Sequence, residues 1–246
     1  MEIDQKLQAA NQSTNDQPAN YQRFHVLHRI LHIIIIFNFT LLAITGFLLH
    51  FSEFECTRFV ILLIGGAGAA GWLHRFCATL LYIGIVIHVF WLFYYKIVLN
   101  QKLFGQDSIV PGKKDFKDLY QNLRYVFKKG TPPLFDRFTY LQKLDYWAVM
   151  LGMQSMGITG LMLCFPEFFT GLFPGYYINI AGHFHFHEAV LAVMYIGIIH
   201  MSDTHLVPDI FPLEKTIFTG EISKIRFMED HPGEWRRKQR IKDKTI

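Results

Sequence analysis

Four long apolar runs, each about the length of a bilayer-crossing helix, constrain this chain more than any other feature. They cover 30–51, 72–99, 146–165 and 178–201. A hydrocarbon core about 30 Å thick takes roughly 20 helical residues to cross. Within lipid the backbone satisfies its own polar groups only as helices or closed barrels. The runs show no period-2 alternation, so helices are expected. Of the 246 residues 51% are hydrophobic and only 18% charged, and the charges collect between the runs. The fold class that follows is an all-α membrane protein, a four-helix transmembrane bundle.

Phe59 to Ala70 is apolar too, but short and broken by Gly65, Gly66 and Gly68. It reads as a re-entrant or interfacial piece, with a longer second span starting near Phe59 as the alternative. Met1 to Asn20 is polar, Gln- and Asn-rich, and lacks the layout of a cleavable signal. The expected organisation is a disordered tail over 1–22, the membrane domain over 23–220 and a basic tail over 221–246.

Orientation follows from the basic residues. Arg23 and Arg29 precede the first run. The second loop holds Lys113, Lys114, Lys117, Arg124, Lys128 and Lys129, and the tail holds a further basic cluster around Arg236, Arg237 and Lys238. Outside these segments only Arg58 lies in a loop. Both termini are therefore expected in the cytoplasm, and the location is the bacterial cytoplasmic (inner) membrane. No nucleic-acid partner is expected; the surrounding partner is the lipid bilayer.

Three cysteines, Cys56, Cys77 and Cys164, form no CxxC or CxxCH pattern. Covalent c-type haem and zinc-ribbon sites are thus excluded. Cys77 and Cys164 fall in apolar runs and are expected to pack as small hydrophobes.

The twelve histidines are informative by position. Polar ionisable side chains inside a membrane are costly and suggest function. His74 and His88 are 14 residues apart in the second run, and His185 and His200 are 15 apart in the fourth. On a helix such spacings fall within roughly 40–60° of one face and about 21–22 Å along the axis. The two runs are parallel, so His74 can sit level with His185 and His88 with His200. That layout suits two stacked bis-histidine haems, since imidazole closes both axial positions for electron transfer. His32 near the start of the first run is a further candidate. His183 and His187 read as a hydrated interfacial patch. His28 and His32 form an HxxxH pattern, which a histidine-box di-iron enzyme would share, but no adjacent histidine pair exists. A haem-free anchor is the other alternative.

Several short motifs carry a family resemblance. In order they are His28-Arg29-Ile30-Leu31-His32, Thr45-Gly46-Phe47, Leu73-His74-Arg75, Arg137-Phe138-Thr139-Tyr140 and Asp145-Tyr146-Trp147. Gly160-Leu161-Met162, Phe165-Pro166-Glu167, His185 with Glu188-Ala189, His200, and Thr204-His205 follow. From Arg23 to about Gly220 the chain resembles the cytochrome b subunits of respiratory formate dehydrogenase and nickel-iron hydrogenase. It is more similar still to cytochrome b proteins associated with multihaem c-type cytochromes. The resemblance implies two haems b, the outer held by His74 and His185 and the inner by His32 and His200. The spacing of the residues instead pairs His88 with His200, so both remain candidates, and a third haem would use His88. The resemblance also implies a quinone, with menaquinone the expected type, near the inner haem. Gln142 and Lys143 fit that pattern, while Thr139 and Leu141 depart from it. His28, Asp145 and Asp203 are further candidates for quinone contact. The expected partner is a periplasmic iron-sulfur subunit or a multihaem cytochrome c.

Overall fold

The computed structural model describes residues 20–100, 102–208 and 210–243. Most of the tail expected to be disordered, 1–19, lies outside them. Four helices are long and apolar enough to cross a membrane: α1 (Val26–His50), α3 (Ala67–Ile97), α5 (Tyr140–Cys164) and a fourth spanning Tyr176–Thr204. The fourth comprises α7 (Tyr176–Met194), a π-helical stretch over Tyr195–His200, and the turn Met201–Thr204.

Between α1 and α3 lies α2 (Glu55–Ile64). Its end is set by Gly65 and Gly66, whose φ values of +103° and +93° only glycine adopts without strain. Their amides bond back to Leu62 and Ile61, closing the helix, and α3 begins anew at Ala67. The continuous helix from Phe59 therefore does not form. α2 leaves Phe59, Leu62 and Leu63 exposed. At the other end of the bundle, Thr139 opens α5 with a reciprocal cap. Its hydroxyl accepts from the Gln142 amide at 3.2 Å, while the Gln142 side chain accepts from the Thr139 amide at 3.1 Å. Pro166, which cannot extend a helix, follows α5 and starts α6 (Pro166–Thr170).

α1 packs chiefly on α3, and α5 on α7. The α1–α3 seam has a seven-residue period. Leu31, Asn38 and Thr45 are buried on α1, and Ala70 and Cys77 on α3, with Gly84 continuing that row. A Cβ at Gly84 would lie 3.7 Å from Leu31. Small residues opposite larger ones let two backbones approach where lipid supplies no hydrophobic drive. Cys77 is the small buried hydrophobe the sequence suggested, whereas Cys164 is exposed.

The two hairpins meet at a sharper fit. Tyr82 of α3 donates to the Met153 carbonyl of α5 at 2.6 Å, and its ring lies over Gly157. A Cβ there would overlap the Tyr82 hydroxyl and Cζ. Gly157→Ala is expected to cost about 1–3 kcal/mol by overpacking. Tyr82→Phe should not rescue it, because the ring carbon still clashes, and Tyr82→Ala should. Thermal unfolding in detergent checks both.

The chain ends close a small module at one end of the bundle. Strand β1 (Asn20–Gln22) pairs antiparallel with β2 (Glu221–Ser223). Helices α10 (Lys224–Asp230) and α11 (Pro232–Asp243) follow, α9 being the turn Thr216–Thr219. Phe227 is 1% exposed and packs against Tyr21 and Trp235. The module thus takes residues from both sides of the boundaries expected at 22 and 220. Its charged centre is buried: Arg23 pairs with Glu234 at 2.9 Å, and Arg137 and Lys238 reach the other Glu234 oxygen.

Candidate functional site

A large cavity of about 3010 Å³ lies between the hairpins, lined by His32, His74, His185 and His200 among mostly apolar side chains. Small-molecule sites are typically about 300–1,000 Å³, so there is room for more than one large planar group.

At the end of the bundle away from the β1–β2 module, His74 of α3 faces His185 of α7. Their ring centroids are 6.3 Å apart. With metal–nitrogen bonds of about 2.0–2.1 Å, two imidazoles at this separation are close enough to hold one metal between them.

The hydrogen bonds behind each ring fix its tautomer. Thr45 donates its one hydroxyl proton to the Leu41 carbonyl at 2.6 Å, so at 2.9 Å from His74 Nδ1 it can only accept. Thr159 does the same for His185. It donates to Ser155 O at 2.9 Å and accepts from His185 Nδ1 at 2.9 Å. Both imidazoles therefore carry their proton on Nδ1 and keep the Nε2 lone pair available, the arrangement of a metal-bound histidine with its supporting acceptor. The glycine after each threonine makes room. A Cβ at Gly46 would lie 3.2 Å from His74 Cε1, and one at Gly160 would lie 3.3 Å from His185 Cε1. A Thr-Gly pair on an odd span and a histidine on the next thus occur twice, once in each hairpin. The sequence contained both pairs, but only their place opposite the histidines shows what they do.

At the terminal end, His200 closes the π-helical stretch. Its Nδ1 lies 3.3 Å from Asp145, whose other oxygen accepts from Tyr195. That again leaves Nε2 free. A π-turn takes an extra residue, so the 15 residues from His185 to His200 advance about as 14 residues of regular α-helix do. His32 has Nδ1 buried with no partner, and its electrostatic neighbours are His200 and His205. His88 stands in other company. Its Nε2 is 2.9 Å from the Tyr146 hydroxyl, and its ring is 5.7 Å from that of His28. His28 in turn sits 4.4 Å from Trp91.

Of the other residues expected at a quinone, Asp145 is bound to His200 and Tyr195. Asp203 lies on the short turn just after His200. Gln142 is engaged in the α5 cap. Lys143 is 6% exposed and pairs with Asp115 at 2.9 Å. Glu188, one turn beyond His185, accepts from Ser155 and has its second oxygen buried without a partner. Sequence reasoning missed the supporting roles of Thr45, Thr159, Tyr146 and Tyr195. Among the described residues no three His, Cys, Asp or Glu side chains converge as a metal site, whereas a histidine-box centre needs such convergence.

The donor set suits haem: paired imidazoles with free Nε2 atoms, one orphaned buried ring nitrogen, glycines cut away beside the rings and apolar walls. Comparison with known proteins points the same way. Residues 2–106 match the family model described as prokaryotic cytochrome b561. No curated protein matches the chain.

Proposed function

From the paired imidazoles and the similarity of residues 2–106 to prokaryotic cytochrome b561, we propose that the chain is the membrane cytochrome b subunit of a respiratory complex. It passes electrons between the quinone pool and a periplasmic redox partner. His74 and His185 would hold an outer haem b, and His32 and His200 an inner one. The observation that carries this reading is the doubled Thr-Gly-His arrangement, with Nδ1 of each ring engaged by its threonine and the two ring centroids 6.3 Å apart. Haem held by these imidazoles would supply reversible one-electron exchange.

The chain's own residues do the rest. Thr45 and Thr159 hold the outer rings in one tautomer. Asp145 orients His200 and strengthens it as a donor. His28, beside His88 and Tyr146 at the terminal end, offers the neutral imidazole that a quinol needs as proton acceptor. Asp145 and Asp203, both beside His200, are the carboxylates that would serve the same chemistry, while Gln142 and Lys143 act by holding the start of α5. Under the positive-inside bias, the basic loop and terminal module support a cytoplasmic side for both termini. The outer end, with its short loops, is then left for an iron-sulfur subunit or multihaem cytochrome c.

A reduced-minus-oxidised spectrum with pyridine haemochrome quantification tests the reading. Two haems b per chain are expected. Porphyrin-free protein from haem-replete cells would overturn it.

A further inference from the structure

α4 (Lys113–Val126) is amphipathic in the wrong direction for a helix on a water-facing surface. Its polar side faces the protein. Asp118 is buried and holds Lys114. Asp115 binds Lys143, and Asn122 donates to the Tyr140 hydroxyl at 2.9 Å. Its apolar side faces away: Phe116, Tyr120 and Leu123 are 74%, 65% and 51% exposed, and Phe127 just beyond is 72% exposed. These four recur at i, i+4, i+7 and i+11, one continuous stripe. In water that stripe would be turned inward.

The contacts also set its height. Tyr140 and Lys143 belong to the first turn of α5, and Trp147 of the next turn donates to the Ile109 carbonyl at 3.3 Å. α4 therefore lies beside the point where a span enters the bilayer. Beside its apolar stripe, Lys117, Arg124 and Lys129 line a shallow cavity of about 590 Å³ with Tyr120 and Thr131. Arg124 is 6.0 Å from the Tyr120 ring centre. Among the described residues none of these three cations is in an ion pair.

We propose that α4 lies in the membrane interface, its aromatic stripe among the acyl chains, and that Lys117, Arg124 and Lys129 bind the phosphate of an anionic lipid. The aromatic stripe selects a bilayer over an aqueous partner, and the uncompensated cations select negative headgroups. The inference needs only the membrane spans and is independent of haem.

Two measurements on the full chain in vesicles test it. A spin label at Phe116→Cys, with Cys56, Cys77 and Cys164 replaced, should collide more with oxygen than with a water-soluble nickel chelate. Dominance of the chelate, or shielding from both by a second copy, overturns the interfacial placement. Protein extracted from equimolar phosphatidylglycerol and phosphatidylcholine vesicles should retain the former. The Lys117→Gln, Arg124→Gln, Lys129→Gln variant should lose more than tenfold of that preference, at about fivefold per cation, with its absorption spectrum unchanged. Undiminished retention overturns the headgroup site. Equal displacement by millimolar inorganic phosphate also overturns it, assigning the pocket to free phosphate.

Discussion

His185→Ala is expected to cut the haem of the purified protein from two per chain to one. His185 donates its Nδ1 proton to Thr159, which leaves Nε2 free, and its ring faces that of His74 at 6.3 Å between centroids. Alanine removes one of the two imidazoles that would hold the haem, leaving His74 alone to hold it. His74→Ala should give the same loss from the other helix. Thr159→Val keeps the ligand and removes only its supporting acceptor. Such losses typically cost about 10–100-fold in metal affinity, so this variant should lose haem only on dilution or competition. His88→Ala discriminates at the other end. With its Nε2 on Tyr146, its removal should leave both haems in place, whereas His32→Ala and His200→Ala should each remove one. A full complement in His185→Ala would sink the outer assignment, and a haem lost from His88→Ala would reassign the inner one. Pyridine haemochrome quantification reads every arm.

Glu234→Ala is expected to release the terminal module. The Glu234 carboxylate is 2% exposed and answers Arg23, Arg137 and Lys238. Burial pulls Arg23 down to about 10, with Arg137 adding to the effect and Glu234 opposing it, so it stays charged at neutral pH. Deleting the one carboxylate strands two guanidinium groups, and breaking a buried pair costs about 3–5 kcal/mol. Tryptic cleavage within 224–243 should accelerate by roughly two to three orders of magnitude if opening precedes cutting. Glu234→Gln, which keeps an acceptor oxygen, should lose less. Unchanged cleavage in Glu234→Ala would show that the strand pairing alone holds the module.

Acid should act on the same module with the same sign. Arg23 only donates, so His231 Nε2 must accept from it at 3.1 Å, and Nδ1–H donates to Asp136 O at 2.8 Å. The ring is held neutral, and burial with Arg23 alongside lowers its pKa to about 4. The unfolded module therefore takes up a proton first. The stability it contributes is complete above about pH 6.5 and lost as pH falls towards 4, roughly 3 kcal/mol in all. Burial raises Glu234, but Lys238, Arg23 and Arg137 more than offset it and leave it below the ordinary value. Its contribution is present above about pH 4.5 and lost below that. Hydrogen exchange in 224–243, corrected for intrinsic rate, should rise between pH 7 and 5 well before the spans respond.

The four spans were legible in the residues because hydrocarbon demands long uninterrupted apolar helices, and that demand is local in the chain. Their ends were partly legible, as at Pro166, whereas the start of the third was not: the apolar run begins at Tyr146, but the Thr139–Gln142 cap opens α5 at Tyr140. The break at Gly65-Gly66 was visible as composition, but which of two helices it would end depended on backbone conformation. His74 and His185 stood out because a polar ring in an apolar run is conspicuous without any fold. Thr45 and Thr159 did not, since a hydroxyl in a membrane helix usually bonds its own preceding turn, as both also do here.

Only the tertiary structure set Tyr146 against His88 and Asp145 against His200, because a helical spacing gives face and height but not which neighbour stands opposite. It alone brought residues 20–23, 136–137 and 221–235 into one charged core, where the partners lie far apart in sequence. And it alone turned α4 polar side inward, since periodicity reveals that a helix has two faces but not what medium each one meets.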